Sequence, residues 1–156
     1  MGPAGSIVAQ LDVLVMTLAR SHYALPLDRV IEAARRVSIT PLASAPAIVL
    51  GLVVHRGAPI PAIDLRMRLG RPPREAVLAD HLVIARTARR IVALVVDQVI
   101  GTRTLDPAQI HAPVLPDPQI AGIAVVDDDL WMIEDLDALL SLDEDAAIDR
   151  AMEAVP

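Results

Sequence analysis

The chain contains no cysteine, no lysine and no phenylalanine, and its 156 residues include only one tyrosine and one tryptophan. Because thiols are missing, disulfide bonds and thiolate-bound metals are excluded. No apolar run approaches the ~20 residues needed to cross a bilayer, and the longest, residues 47–54, is interrupted by Gly51. The first six residues lack a basic segment, so we expect no secretory signal there.

The sequence motifs of common catalytic and metal sites are also missing. There is no G-x-S-x-G, no G-x-G-x-x-G and no P-loop, and none of the five serines lies in a nucleophile turn. The four histidines are 26 to 33 residues apart, without the compact spacing of metal ligands. Residues 127–129 are three aspartates, but the glycine and the spacing of a calcium loop are absent. We therefore expect no catalytic residues, no metal and no cofactor.

The chain is rich in apolar residues, and its charges are unevenly distributed. The hydrophobic fraction is 54%, above the usual ~45–50%, which indicates either a rich core or an apolar surface kept for a partner. Residues 20–103 carry 13 arginines against six acidic residues, whereas residues 104–156 carry one arginine against 13 acidic residues. Such polarity can orient an association, although two solvated faces of opposite charge would give the same pattern.

Short apolar segments are separated by turn residues about every ten positions, as in all-β sandwiches and barrels. The first segment, residues 11–19, is apolar on both faces, which predicts a strand that is covered on both sides. Pro26, Pro59 and Pro61 indicate edges or bulges, and Gly101 indicates a bulge. The predicted strands are residues 11–19, 23–33, 47–55, 58–63, 81–87, 90–96, 99–105, 120–126 and 130–133.

Helices are predicted at the connections and near the C-terminal end. Asp64 is a good N-cap for a short helix that ends at Gly70, the usual C-terminal glycine. A helical segment is predicted over residues 136–142. Asp143 then caps an acidic, weakly amphipathic helix that runs to residue 154.

The Arg-Pro-Pro-Arg sequence at residues 71–74 is the clearest linker in the chain. It predicts two small barrels in tandem, at roughly residues 11–70 and 75–142, with exchange of terminal strands between these lobes allowed. Residues 1–10 form a leader in this interpretation, and residues 143–156 form an acidic C-terminal helix or tail.

Both aromatic residues, Tyr23 and Trp131, lie within predicted apolar strands, so we expect them in the core. A barrel that binds single-stranded nucleic acid needs a basic groove and exposed stacking aromatics. An acidic chain with two core aromatics does not fit that class.

Four segments, in order along the chain, resemble the sequence pattern of CheW-like domains. Residues 49–65 match G-hydrophobic-x-x-x-R-G-x-x-x-P-x-hydrophobic-D-L, and residues 23–30 match Y-x-(I/L)-x-(I/V)-x-x-V. Residues 93–99 resemble G-x-x-V-D-x-V with Ala93 in place of the glycine, and residues 120–137 resemble hydrophobic-x-G followed by x-I-L-x-L-D. The resemblance covers about residues 11–141.

The resemblance implies two packed lobes, each a five-stranded SH3-like barrel, with short helices at the connections and a C-terminal helix. It implies a non-enzymatic signalling adaptor of a bacterial two-component chemotaxis pathway. Its partners would be the regulatory domain of a CheA-type histidine kinase and the cytoplasmic tip of methyl-accepting chemoreceptors. The protein would be cytoplasmic and recruited to membrane receptor arrays, without nucleic-acid binding or membrane insertion.

Two alternatives remain open at this stage. The first is a CheW-like scaffold of a non-flagellar phosphorelay that serves motility or gene regulation. The second is a barrel that binds a small apolar ligand or a nucleic acid.

The resemblance also implies a partner-binding surface. By match to the pattern, Arg56 and Gly57 fall where family members contact partners, and Val30 and Glu32 fall on the receptor-facing strand. Gly57 would support a turn that projects the rigid donor fork of Arg56 outward; the alternatives are an ion pair of Arg56 with a nearby acid such as Asp64 and a buried Val30. His55 departs from the pattern, which has leucine or a similar residue before Arg-Gly.

Overall fold

The computed structural model describes residues 10–35, 38–73, 81–113 and 117–154. The predicted leader therefore lies outside the described residues except for Gln10, as does Arg74 of the predicted linker. The strands are β1 (Leu11–Leu18), β2 (Ser21–Pro26), β3 (Val30–Arg35), β4 (Val49–His55), β5 (Ala58–Ile63), β6 (His81–Arg86), β7 (Ile91–Val96), β8 (Gln98–Leu105), β9 (Ile110–His111), β10 (Ile120–Val126) and β11 (Asp129–Glu134). The helices are α1 (Leu65–Arg68) and α2 (Leu142–Glu153), and 3-10 turns span Leu27–Arg29, Pro107–Gln109 and Leu136–Ala138.

The strands in the described ranges form two sheets. The six-stranded sheet has the order β8-β1-β2-β11-β10-β9, and the five-stranded sheet has the order β3-β6-β7-β5-β4. The pairs β2–β11 and β5–β7 are parallel, and the others are antiparallel. The predicted all-β class with short connecting helices is confirmed. One sheet has six strands because the two-residue strand β9 pairs with β10.

The two sheets do not follow the predicted division of the chain at residues 70–75. The six-stranded sheet takes β1 and β2 from the start of the chain and β8 to β11 from its end, whereas the five-stranded sheet takes β3 to β7 from the middle. The reason is that the β1–β2 hairpin lies between β8 and β11 and pairs with both. The N-terminal hairpin thus completes the sheet that the C-terminal strands begin.

The predicted strand over residues 23–33 is wrong, because this segment forms two strands in different sheets. Pro26 is the last residue of β2, paired with Val13, and a 3-10 turn over Leu27–Arg29 follows it. Proline has no N–H to donate to a further ladder hydrogen bond. Pro26 therefore marks the end of an inner strand rather than an edge or a bulge.

Pro59 and Pro61 lie on β5, between β4 and β7 in the sheet. Only the C-terminal end of β5 has a neighbour on both sides. Strand β5 pairs with β4 along its whole length, but its pairing with β7 is confined to Ala62 and Ile63. Because the two prolines are two positions apart, both ring nitrogens point to the side away from β4, where no ladder bond is needed. The predicted edge is thus local to this half of the strand.

The buried apolar residues form three clusters, one from each sheet and one shared by both. Strand β1 contributes to two of them: Val13 and Val15 pack within the six-stranded sheet, while Leu14, Met16 and Leu18 pack in the shared cluster. The prediction that β1 is covered on both faces is confirmed. Tyr23 and Trp131 are both buried, as predicted.

Helix α2 begins one residue earlier than predicted and has a different cap. Ser141 is the N-cap: its hydroxyl accepts from the Glu144 N–H, and the Glu144 carboxylate accepts from the Ser141 N–H. This reciprocal capping box outcompetes Asp143, which has no such partner at the third position. The helix predicted over residues 136–142 is confined to one 3-10 turn, Leu136–Ala138.

Helix α2 packs against the body of the protein through its apolar face and through ion pairs. Ile148 and Ala151 are buried. Arg90 pairs with Asp145 and Asp149 at 2.7 Å each, and Arg68 pairs with Glu144. Acids clustered in the C-terminal region thus neutralise arginines of the middle region. None of the helices in the described ranges has the length and apolar character that a bilayer crossing requires.

Glu134, at the end of β11, has a buried carboxyl group with one oxygen that lacks a partner. Its side chain is 3% exposed, and its Oε1 atom has no hydrogen-bond partner. Burial, together with the nearby charge of Asp117, raises the pKa of Glu134 to about 8. The neutral acid is therefore the form that the fold tolerates at neutral pH.

This burial predicts a pH dependence of stability. Because the pKa of Glu134 is raised in the folded chain from 4.5 to about 8, its contribution to stability is full below about pH 4.5 and is lost as the pH rises to about 8. Across that range the free energy of unfolding should fall, relative to Glu134→Gln, by up to roughly 5 kcal/mol. Urea unfolding of both proteins at several pH values measures the difference.

The matched control is Glu153→Gln, because Glu153 is an exposed glutamate at the end of α2. That variant should follow the parent at every pH. Parallel stability curves for the parent and Glu134→Gln would show that Glu134 is solvated or paired.

Candidate functional site

The segment that follows β3 is hydrogen-bonded to β4, the edge strand at the other end of the five-stranded sheet. Thr40, in the segment after β3, exchanges two backbone hydrogen bonds with Leu52 of β4, at 2.8 and 2.7 Å. This bridge and the side-chain contact between Glu32 of β3 and His55 of β4 bring the two ends of the sheet near each other. We call this line of contact, formed by Glu32, Thr40, Leu52 and His55, the seam.

Gly51 makes the close approach at the seam possible. A β-carbon at this position would lie 2.3 Å from the backbone oxygen of Thr40, and the φ angle of Gly51 is +154°. Both the space and the backbone conformation therefore require glycine. This gives a physical reason for the glycine that opens the 49–65 motif.

Three ionisable side chains gather at the seam beside the β4–β5 turn. Nδ1 of His55 lies 3.1 Å from Oε1 of Glu32, and a terminal nitrogen of Arg56 lies 3.9 Å from Oε2 of Glu32. Glu32 comes from β3, whereas His55 is the last residue of β4 and Arg56 is the first residue of the turn that follows. The closure of the sheet thus brings together residues that are more than twenty positions apart in sequence.

Arg56 and Gly57 form the two-residue turn between β4 and β5. Their φ angles are +51° and +81°, as in a type I′ hairpin turn, and a side chain on Gly57 would meet nothing within 4 Å. The Arg56 side chain is 73% exposed. The predicted outward projection of Arg56 agrees with this geometry.

The alternative ion pair between Arg56 and Asp64 is not formed. Asp64 instead caps α1, where its carboxylate accepts a hydrogen bond of 3.2 Å from the Met67 N–H. The predicted cap and the predicted glycine at the end of this helix, Gly70 with φ of +67°, are both found in the structure.

Val30 lies on β3 with Glu32 but in different surroundings. It is partly buried and packs against the shared apolar cluster. The β3–β6 register shifts between Val30 and Glu32, since Val30 lies opposite Ala85 while Glu32 lies opposite Ile84. Of the four predicted contact residues, the structure therefore brings Glu32, Arg56 and Gly57 together. Val30 lies apart from them, two positions before Glu32 on β3.

A shallow cavity of about 220 Å³ adjoins these charged groups. Its walls are apolar side chains of three strands, and Glu32, His55 and Arg56 line it as well. Val54, at its margin, is 74% exposed. Small-molecule pockets usually enclose about 300–1,000 Å³, so this open hollow suits side chains of another protein better than a whole ligand. The apolar wall residues are Ala34, Val53, Val54, Leu82 and Ile84.

Sequence reasoning missed four participants in this site. His55 was noted only as a departure from the motif, and Leu82 and Ile84 of β6 carry no signal beyond an apolar strand pattern. Thr40 lies in a turn-rich segment, where nothing indicates a bridge to β4. Within the described ranges, no three histidine, aspartate or glutamate side chains are grouped as metal ligands would be.

A comparison with protein families identifies the chain. The family model of the CheW-like domain matches residues 12–144. The chain belongs to the CheW-like family. The match includes the seam, the β4–β5 turn and the start of α2.

Relatives of known name agree with this assignment. The chain is 26% identical to the chemotaxis protein CheW of Klebsiella aerogenes over 97% of this chain and 93% of that protein. It is 32% identical to a probable chemotaxis protein CheW of Rhizobium etli over 69% of this chain and 73% of that protein. The crystal structure of the scaffolding protein CheW from Thermoanaerobacter tengcongensis superposes with a TM-score of 0.80 at 28% identity, covering 87% of this chain and 96% of that one.

Departures from the CheW-like pattern are accommodated in different ways. Ala93 replaces the usual glycine and is fully buried in the cluster of the five-stranded sheet, so its methyl group is packed. Glu134 stands where the x-I-L-x-L-D pattern has leucine, and it is the buried carboxyl group described above. His55 replaces an apolar residue and pairs with Glu32.

The close contact at the seam predicts that two glycine substitutions lower the free energy of unfolding by different amounts. Gly51→Ala should destabilise the fold by about 1–3 kcal/mol more than Gly101→Ala, because it adds a steric clash to a similar backbone strain. Gly101 is a matched control: its φ angle is +146°, but a side chain there would meet nothing within 4 Å. Urea unfolding of the two variants tests this, and equal costs would contradict the close approach of Thr40.

Proposed function

We propose that the chain is a non-enzymatic signalling adaptor that couples chemoreceptors to a CheA-type histidine kinase. The observation that carries this proposal is the exposed Arg56 on a rigid turn beside an apolar hollow, in a chain of the CheW-like family. The proposed partners are the regulatory domain of the kinase and the cytoplasmic tip of the receptor. Recruitment to receptor arrays would follow from these contacts.

The chemistry of the surface suits protein contacts. The guanidinium of Arg56 offers several donors in a planar fork, which fits carboxylates and helix-end carbonyls of a partner. Val54, two positions earlier on β4, adds exposed apolar area. A charged anchor next to an apolar hollow is the arrangement that receives one face of an amphipathic helix.

Glu32, Arg56 and Gly57 are the proposed centre of the contact surface, and Val30 is proposed to extend it along β3. Gly57 leaves open space above the turn, so a partner can approach the backbone closely. The partly exposed side of Val30 can add apolar contact to the receptor, while its buried side packs against the core.

The alternative of a nucleic-acid-binding barrel loses its support. Such a barrel needs exposed aromatics on which bases stack, and the only tyrosine and the only tryptophan of this chain are buried. The Tyr23 hydroxyl is further occupied as acceptor for Nε of Arg71 at 2.8 Å. The alternative pathway, a non-flagellar phosphorelay, keeps the same surface and differs only in which kinase is bound.

Charge reversal at the turn tests the proposal. Arg56→Glu should fold with a free energy of unfolding within about 0.5 kcal/mol of the parent, because the side chain is exposed. It should weaken binding to the kinase regulatory domain or to the receptor fragment of the source organism by tenfold or more, since a like charge then faces the partner's acceptors. Affinity is measured by co-sedimentation and calorimetry with each purified partner.

Arg20→Glu is the matched control. Arg20 is also exposed and also lies in a hairpin turn with positive φ, +70°, but on the β1–β2 hairpin of the other sheet. It should bind like the parent. If Arg56→Glu binds both partners as tightly as Arg20→Glu, the turn is not the contact surface. A pull-down that retains a different histidine kinase would instead assign the chain to the alternative pathway.

A further inference from the structure

We infer that His55 is a positioning residue that controls how available Arg56 is to a binding partner, by competing with Arg56 for Glu32. This inference rests on the proposed function of the Arg56 turn. It concerns a residue that the motif does not supply, because the CheW-like pattern has an apolar side chain at this position.

The two oxygens of the Glu32 carboxylate face different cations. Oε1 lies 3.1 Å from Nδ1 of His55, within hydrogen-bond distance, whereas Oε2 lies 3.9 Å from Arg56, too far for a hydrogen bond. The His55 side chain is 12% exposed and Arg56 is 73% exposed. The carboxylate is therefore committed mainly to the sheltered histidine, and the guanidinium remains largely free.

An apolar residue in place of His55 would change this balance. Glu32 would lose its nearer ion-pair partner, and Arg56 would be the remaining basic side chain among those that line the hollow. Arginine and carboxylate form bidentate pairs when their geometry allows. An Arg56 held by Glu32 presents fewer donors to a partner.

Histidine makes the competition depend on pH, because imidazole side chains change charge between about pH 5 and 8. When His55 is charged it attracts Glu32 strongly, and Arg56 is released. When His55 is neutral the attraction weakens, and Arg56 competes better for the same carboxylate. Affinity for the partner should thus fall as the pH rises through this range.

The other side chains around the hollow do not titrate in a way that would mask the effect. Strand β6 contributes Leu82 and Ile84, and the remaining wall residues of β3 and β4 are apolar as well. Arg35 of β3 and His81 of β6 lie opposite each other in the strand register. Arg35 is an odd number of positions from Glu32, and His81 from Leu82, so both side chains face the side of the sheet away from the hollow. Among the described residues that line the hollow, Glu32 and Arg56 are the charged groups beside His55.

The test measures affinity of the chain for the kinase regulatory domain and the receptor fragment at pH 6 and pH 8, at constant salt. The parent should bind about two- to fivefold more weakly at pH 8, the change expected when a partly exposed ion pair is lost. His55→Asn keeps a hydrogen-bond donor for Glu32 without a titrating charge, so its affinity should not vary between the two pH values. His55→Leu should be equally insensitive to pH but should bind more weakly than His55→Asn.

A second measurement reads the same competition in the free chain. The side-chain NMR signals of Arg56 should show that the guanidinium becomes more ordered from pH 6 to pH 8 in the parent, and that it is ordered at both pH values in His55→Leu. Unchanged Arg56 signals in the parent would overturn the inference whether or not a partner binds.

The outcomes separate the inference from the function on which it rests. Parent binding that is tight but equal at both pH values overturns the role of His55 and leaves the adaptor function intact. Equal pH dependence in the parent and in His55→Asn also overturns it, because another group then titrates. Binding to neither partner at any pH, by a folded parent, contradicts the adaptor function itself.

Discussion

Strands with two apolar faces impose the main constraint on this fold. A strand such as β1 can be shielded from water on both faces only when its sheet packs against a second layer. One face of β1 closes onto its own sheet through Val13 and Val15, and the other joins the cluster shared with the five-stranded sheet through Leu14 and Met16. Helix α2 covers this shared cluster further, with Ile148 fully buried in it. The two sheets are therefore packed on one another by burial of apolar area, the dominant favourable term in folding.

The surface proposed for partner contacts depends on how the five-stranded sheet curls. The segment after β3 joins β4 at the Thr40–Leu52 bridge, and only a glycine at position 51 lets Thr40 approach β4 so closely. The same closure places Glu32 from one edge beside His55 and Arg56 from the other. The surface proposed for partners is thus a consequence of how the sheet closes, and its charges are held by backbone geometry rather than by a flexible loop.

Much of the local structure could be predicted from the sequence, because it depends on neighbouring residues. The hairpin strands, the Asp64 cap with Gly70, and the turn at Gly57 follow from turn and capping chemistry that acts over a few positions. The sheet order could not be predicted, because the pairing of β2 with β11 joins segments about a hundred residues apart and leaves no local signal. For the same reason the motif indicated Arg56 and Glu32 separately, but neither their proximity nor the role of His55 between them. Glu134 lies in an apolar strand, where its burial depends on tertiary packing that the pattern does not contain.

The central claim is that partners bind at the seam and the β4–β5 turn. Hydrogen–deuterium exchange of the free chain, compared with the chain bound to the kinase regulatory domain and to the receptor fragment, tests it most directly. The amides of Arg56 and Gly57 lie in an exposed turn, so they should exchange rapidly in the free chain and become protected, together with those of β3, when a partner binds. Protection confined to other strands, with unchanged exchange at the turn, would contradict the account.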